Sequence, residues 1–209
     1  MILTLDGDKL NWTPAEDLTL QAIIDTVRRA APADNIIVSV QVDGRPIIGR
    51  ELEERLSQPL AGVSQVDLES AAPREVAQAA LQQISEQLAA AAESHEEIAA
   101  ALQQDRFAEA CRGFAALLNV WRAAQTTVVE CCSLMGVALE DVPVGERTLA
   151  AHLAELIARL QEARGAFEAR DTVLLADLAQ FELPEVTSGW RQLVGELQQR
   201  VGAAAAPTT

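Results

Sequence analysis

The segment His95-Glu96-Glu97 is the first place where residue types and spacing resemble a catalytic motif. In the zinc-binding pattern HExxH, two histidines four residues apart share one helix face and the glutamate acts as general base. Here the fifth position is Ala99, so the second ligand is missing. The other histidine, His152, lacks the glutamate three residues earlier that diiron helical bundles use, and so does His95. We therefore expect no metal site.

The other groups that could react or bind a cation are also poorly placed. Cys131 and Cys132 are adjacent, but the nearest preceding basic residue is Arg122, more than two helical turns away, so neither thiol has an activating charge. We interpret both as small buried apolar residues rather than a redox pair. A solvated acidic face, not a ligand set, is predicted for Asp171, Asp177, Glu182 and Glu185.

Motifs that bind phosphates or cofactors are missing from the sequence. It contains no GxxxxGK[ST] loop, no GxGxxG after a strand and no GxSxG elbow. Aromatic residues make up only 3% of the chain and there is no tyrosine, so stacking platforms for bases or sugars are scarce. We predict a protein with no catalytic residues and no cofactor.

The charge balance argues against nucleic acid and membrane surfaces as partners. The 31 acidic residues outnumber the 16 basic ones, which gives a formal net charge of -15. There is no run of 18 apolar residues and no signal-peptide pattern, and the three cysteines do not suggest disulfides. We expect a cytoplasmic protein.

Residues 1–70 have the pattern of a small α+β module. Two Asp-Gly turns, Asp6-Gly7 and Asp43-Gly44, each lie between strand-like segments and predict β-hairpins. The predicted strands are Ile2–Leu5, Lys9–Trp12, Ile36–Val42, Arg45–Ile48 and Val63–Glu69.

Two helices are predicted within this module. The longer one is expected to begin at the cap signal Thr13-Pro14-Ala15-Glu16 and to bury a stripe at Leu20, Ile23, Ile24 and Val27. The shorter one covers Glu51–Ser57. The resulting order of elements resembles the ubiquitin-like β-grasp fold, and an α+β sandwich of another topology is the alternative.

Residues 71–202 are predicted to form an antiparallel four-helix bundle, and residues 203–209 a disordered tail. Apolar residues recur in alternating steps of four and three, which is typical of long helices packed on one another. The predicted seam of the first helix contains Ala77, Leu81, Ile84, Leu88, Ala91, His95, Ile98 and Leu102. The predicted seam of the second contains Phe107, Cys111, Phe114, Leu118, Trp121, Gln125, Val128, Cys132 and Met135.

His95 and Gln125 are the polar residues in these seams. One interpretation is a buried proton-sensitive or ligand-contacting pair. The other is that they fix the register of the helices or lie at a partly wet rim.

The fourth helical stretch contains the candidate partner-binding residues Phe181, Leu183 and Trp190. Pro184 lacks a donor N–H and crowds the preceding carbonyl, so we predict a break or kink there. A kink would open a groove that accepts a partner segment, with these three residues lining it. The alternative is that they close the bundle core.

Two segments resemble flagellar export chaperones. The closing helices of that family are similar to the segment FEARDTVLLADLAQFELPEVTSGWRQLVGEL, whose aliphatic stripe ends near Trp190. The start of their middle helices is similar to DRFAEA at 105–110. The resemblance implies a cytoplasmic helical bundle that binds an amphipathic terminus of a secreted subunit.

The leading hypothesis from sequence is a non-enzymatic adaptor or chaperone-like protein that binds a partner helix or peptide. A second hypothesis is a small-molecule-binding protein or enzyme that holds an anionic ligand with Arg45, Arg50 and Arg55 where the two modules meet. A third is a structural protein whose long helices pair between chains in a homodimer.

Overall fold

An N-terminal mixed sheet and a C-terminal set of long helices make the chain an α+β protein. The computed structural model describes residues 1–11, 19–31, 34–138, 143–144 and 147–203. The chain divides into two units, Met1–Val76 and Ala77–Thr209. None of the helices in the described ranges is both long enough and apolar enough to cross a membrane.

Five strands form the sheet of the first unit in the order β2-β1-β5-β3-β4. β1 and β5 are parallel, and the other neighbours are antiparallel. The strands are β1 Ile2–Leu5, β2 Asp8–Lys9, β3 Ile36–Val42, β4 Arg45–Pro46 and β5 Gln65–Ala71.

Both predicted Asp-Gly turns are confirmed. Asp6 and Gly7 have φ angles of 53° and 86°, and Asp43 and Gly44 have φ angles of 49° and 76°, as tight hairpins of right-handed twist require. The strands that follow these turns are shorter than predicted, and Trp12 lies outside the described residues.

Helix α1, Leu20–Ala30, supplies the other layer of this unit. It begins later than predicted because Thr19, in extended conformation, accepts the N–H of Ala22 and caps it; the Thr13-Pro14-Ala15-Glu16 signal lies outside the described residues. Helix α2, Gly49–Leu56, follows β4. The buried core of the unit contains Leu3, Leu5, Leu20, Ile23, Val27, Ala31, Val40, Val42, Ile47, Val66 and Leu68.

The second unit is built from helices that share one buried core. They are α3 Pro73–Gln103, which begins in the first unit, α4 Phe107–Leu134, α5 Leu149–Ala169, α6 Thr172–Asp177 and α7 Leu183–Ala203. Two short antiparallel strands, β6 Pro143–Val144 and β7 Arg147–Thr148, precede α5. The predicted disordered tail falls almost entirely on residues 204–209, which are outside the described residues.

The predicted seam of α3 is confirmed, since all eight of its residues are buried. The seam of α4 is wrong in part. Phe114, Trp121 and Val128 are buried as predicted, but Gln125 is exposed. Cys132 is also buried as predicted. Further buried positions are Ala110, Leu117, Ala124 and Cys131, each one residue before a predicted position. Steps of three and four are both compatible with one helix face, and the small alanines allow the closer packing.

The predicted break at Pro184 is a π-helical turn, Leu178–Glu182, within a continuous helical segment. The N–H of Leu183 donates to the carbonyl of Leu178, five residues back. The widened turn accommodates the missing N–H of Pro184 and shifts the phase of the apolar residues. Phe181, predicted either to line a groove or to close the bundle core, is 61% exposed.

Candidate functional site: a buried polar cluster beneath an apolar cleft

Three helices place polar side chains together inside the apolar core of the second unit. The Nε2 atom of His95 on α3 lies 2.9 Å from Oγ1 of Thr187 on α7. The indole Nε1–H of Trp121 on α4 donates to the same Oγ1 at 3.1 Å. The rings of His95 and Trp121 are tilted by 35°, with centroids 6.3 Å apart. His95 and Thr187 are the buried polar residues among the described part of the chain.

The hydrogen-bond chemistry of this cluster assigns the proton of His95. The oxygen of Thr187 accepts the indole N–H, so its own hydroxyl proton is available for the lone pair on Nε2 of a neutral imidazole. The tautomer with the ring proton on Nδ1 gives the Thr187 hydroxyl proton an acceptor, whereas the other tautomer would make Nε2 a second donor to the same oxygen, so the contact favours a proton on Nδ1. In this arrangement the Thr187 hydroxyl connects α3, α4 and α7 through one donated and one accepted hydrogen bond.

Two buried nitrogen atoms near this point of the core lack partners. Nδ1 of His95 and Nε1 of Trp190 have no hydrogen-bond partner among the residues that the structure describes. A buried polar group without a partner costs about 1–3 kcal/mol. Burial also lowers the pKa of His95 from its ordinary value of 6.5, because desolvation disfavours the imidazolium cation. The cluster therefore favours a neutral His95.

An apolar cleft lies between α4 and α5. Its volume is about 170 Å³, and its open edge includes Leu118, which is 38% exposed. The aromatic side chain of Phe167 contacts Phe107 and Phe114 near the beginning of α4, with ring centroids 6.1 and 5.0 Å apart. The cleft is lined by Phe114, Leu118, Trp121, Leu160, Ala163, Arg164, Phe167 and Leu183.

Trp121 belongs to both the cleft and the polar cluster. Its ring contributes to the cleft lining, while its Nε1–H is held by Thr187. Because an indole has one donor, the Thr187 hydrogen bond fixes the orientation of the ring that the cleft presents. The polar cluster thereby positions part of the cleft wall.

The predicted partner-binding residues are not brought together on one surface. Leu183 and Trp190 are both 1% exposed, whereas Phe181 is exposed to solvent. Leu183 reaches the cleft and Trp190 belongs to the core. Partner binding by the three residues stays a prediction. Among them, Leu183 lines the cleft.

Other candidate groups have ordinary structural surroundings. Burial raises the pKa of the Cys131 thiol to about 11, with smaller contributions from Cys132 and Glu130, and burial also raises the pKa of Cys132. The reactive thiolate is therefore rare at neutral pH. In the described ranges, no group of three or more His, Cys, Asp or Glu side chains is placed to hold a metal ion.

Two of the three arginines that the sequence suggests for an anionic ligand have partners on their own helix. Arg50 pairs with Glu54 at 2.8 Å and Arg55 with Glu51 at 3.8 Å, both along α2. Arg45 lies on β4. An anionic-ligand function stays a prediction.

A comparison with family models matches residues 79–193 to a domain of unknown function, DUF8042. The chain belongs to the DUF8042 family. The matched DUF8042 segment contains His95, Trp121, Thr187 and Trp190 and every residue that lines the cleft. No curated protein and no solved structure matches the chain.

Sequence reasoning found His95 and Trp121 but missed Thr187. The signal was present, because Leu183, Thr187, Trp190 and Val194 are spaced by four, three and four residues and so share one helix face. A hydroxyl in that apolar stripe is the natural partner of a seam histidine on another helix. Only the relative positions of α3, α4 and α7 showed which residues meet.

Proposed function

We propose that this DUF8042 protein is a non-enzymatic cytoplasmic interaction module, an adaptor or chaperone-like factor, that binds a helix or peptide of a partner protein on its helical unit. The cleft between α4 and α5 is the binding site in this proposal, and one bulky apolar side chain of the partner is the occupant. The cleft supports the proposal because its lining is apolar apart from Arg164. An apolar cavity of about 150 Å³ suffices to bind a benzene ring, so a cleft of about 170 Å³ fits one aromatic or branched aliphatic side chain.

The surroundings of the cleft also support a helical partner. Leu118 on α4 and Ile157 on α5 are exposed large apolar residues, with exposures of 38% and 51%. Ile157, Leu160, Arg164 and Phe167 are spaced by three, four and three residues, so they share one face of α5. An amphipathic helix presents anchors at the same spacing. The resemblance to flagellar export chaperones would imply the same class of partner.

We further propose finer descriptions of both units. For the first, a β-grasp arrangement is supported by the parallel pairing of β1 with β5 at the centre of the sheet and by the position of α1 between the two hairpins. For the second, an antiparallel four-helix bundle is supported by the hydrogen bond from Cys131 near the end of α4 to the carbonyl of Ala77 near the beginning of α3.

A displayed library of random peptides tests the function directly. We expect the full chain to enrich peptides with apolar residues at helical spacing. These peptides should lose binding to Leu118→Asp, which puts a charge at the cleft edge. They should keep binding to Val173→Asp, a matched control because Val173 is 71% exposed and does not line the cleft. Equal binding to both variants, or no enrichment by the folded protein, would contradict the proposal.

A further inference from the structure

His95 is separated from the cleft by two hydrogen bonds. The path runs from its Nε2 to the hydroxyl of Thr187 at 2.9 Å, and from that oxygen to the indole N–H of Trp121 at 3.1 Å. The Trp121 ring then contributes to the cleft lining. Thr187 therefore connects His95 to a residue that lines the cleft.

A proton on Nε2 changes the hydrogen-bond role of the Thr187 hydroxyl in this path. The imidazolium form carries N–H groups on both nitrogens, so Nε2 would become a second donor toward the Thr187 oxygen. The hydroxyl proton of Thr187 would then lose its acceptor. The charged ring would also lie 2% exposed without a counterion, which is a strongly unfavourable position for a cation.

No charged group near His95 offsets this cost within the described residues. Its neighbours in the cluster, Trp121 on α4 and Thr187 on α7, are neutral. The other imidazole near α7 is that of His152 on α5, because a methyl group added at Gly189 would lie 3.1 Å from its Nδ1. The charged residues within four positions of His95, Trp121 or Thr187 on their helices are exposed, namely Glu93, Glu96 and Glu97 on α3, Arg122 on α4, and Glu185 and Arg191 on α7.

We propose that His95 makes occupancy of the cleft dependent on pH: the neutral ring holds Trp121 in place through Thr187, and protonation of the ring releases the occupant. This inference rests on the proposed function, because it concerns the regulation of the same cleft. The coupling is reciprocal, so an occupant of the cleft also disfavours protonation of His95. The result is a module that holds its partner at neutral pH and releases it on acidification.

Fluorobenzene is a suitable probe because it is apolar, fits the cleft and does not titrate. Its affinity for the full chain can be measured by ¹⁹F NMR at pH 7.5 and 5.5, and nuclear Overhauser contacts to the methyl groups of Leu118 and Leu160 establish where it binds. We expect wild type to lose affinity between pH 7.5 and pH 5.5, in proportion to the fraction of His95 that becomes protonated. His95→Gln should bind equally at both pH values.

Two further variants separate this mechanism from other effects of pH. His152→Gln, the matched control, should keep the pH dependence of wild type. Thr187→Val should lose it although His95 remains, whereas Thr187→Ser, which retains the hydroxyl, should keep it. These variants also provide a test if His95→Gln does not fold.

The outcomes distinguish the two proposals. Contacts at the cleft with equal affinity at both pH values in wild type would contradict the coupling and leave the binding site in place. The same pH dependence in His95→Gln, or its loss in His152→Gln, would also overturn the role of His95. No binding at the cleft at pH 7.5 would contradict the proposed function and, with it, the coupling.

Discussion

The hydroxyl oxygen of Thr187 lies 2.9 Å from Nε2 of His95, in the core of the second unit and 92 residues away along the chain. The same oxygen accepts the indole N–H of Trp121. This contact joins three helices that also share one apolar core. A single side-chain hydroxyl thereby satisfies two buried polar groups.

Removal of that hydroxyl should destabilise the second unit. Thr187→Val keeps the shape of the side chain but leaves Trp121 Nε1–H and His95 Nε2 without their partner. We expect the free energy of unfolding to fall by roughly 2–4 kcal/mol, since each unpaired buried group costs about 1–3 kcal/mol. Urea denaturation measures the change. Thr187→Ser is the control and should cost clearly less, and equal losses in the two variants would argue against the hydrogen bonds.

The stability of the protein should fall with decreasing pH because of His95. Burial lowers the pKa of the native His95 below 6.5, so the unfolded chain binds more protons than the native state in the window beneath that value. The contribution of this residue is fully present above pH 6.5 and is lost as the pH falls through the window, with a slope of up to about 1.4 kcal/mol per pH unit.

Urea titrations from pH 8 to 5 measure this dependence. The difference in unfolding free energy between wild type and His95→Gln should shrink as the pH falls. A difference that stays constant over the whole range would contradict the burial of a neutral imidazole. His152→Gln provides the matched comparison for the other histidine.

Close packing of α3 on α4 should make Gly113 intolerant of a side chain. A methyl group added there would lie 2.5 Å from Cγ1 of Ile98, which is buried. We expect Gly113→Ala to destabilise the protein by about 1–3 kcal/mol, because overpacking outweighs the gain in helix propensity. Gly165→Ala on α5 has no atom within 4 Å of its new methyl group and should be stabilising by up to about 1 kcal/mol. Thermal denaturation measures the change in stability of both variants. A change in the same direction for the two would contradict this prediction.

Two of the candidate residues near the π-helical turn, Phe181 and Trp190, should differ sharply in their effects on stability. Phe181→Ala removes an exposed ring and should change the free energy of unfolding by about 0.5 kcal/mol or less. Trp190→Ala leaves a cavity in the core and should cost about 3–5 kcal/mol. Chemical denaturation separates them, and similar losses would mean that Phe181 is buried in solution.

Thiol labelling should distinguish the cysteines. Cys131 and Cys132 are buried, and the pKa of each is raised, whereas Cys111 is half-buried. At pH 8 an aromatic disulfide reagent should label Cys111 first, and all three thiols should react rapidly only in denaturant. Mass spectrometry of the labelled peptides checks the order. Early labelling of Cys132 in the native protein would show that the end of α4 is open.

The sequence predicts the elements well where local chemistry determines them. The Asp6-Gly7 turn and the α3 seam are examples, because positive φ angles and heptad spacing are properties of short stretches. On α4 the spacing of the apolar residues fits two neighbouring helix faces. The predicted face includes Gln125, which is exposed. Which face of α4 is buried depends on the helices that contact it, and a local sequence pattern does not contain that information.

The candidate site was predicted only in part for the same reason. The heptad spacing predicts His95 as a polar seam residue, but no local pattern identifies its partner Thr187, which lies 92 residues away in sequence. The π-helical turn, which shifts the phase of the apolar residues and leaves Phe181 exposed, cannot be read from a periodic apolar pattern. Long-range packing and this irregular turn are the features that the sequence does not reveal.

The protonation state of His95 is the point on which the cluster and its link to the cleft depend. Long-range ¹H–¹⁵N NMR of the folded full chain reports the charge and tautomer of each imidazole. At pH 7.5 we expect a neutral His95 with its proton on Nδ1, and the loss of that signal in Thr187→Val would show that the hydroxyl selects the tautomer. An imidazolium at that pH, or a neutral ring with its proton on Nε2, would contradict the account.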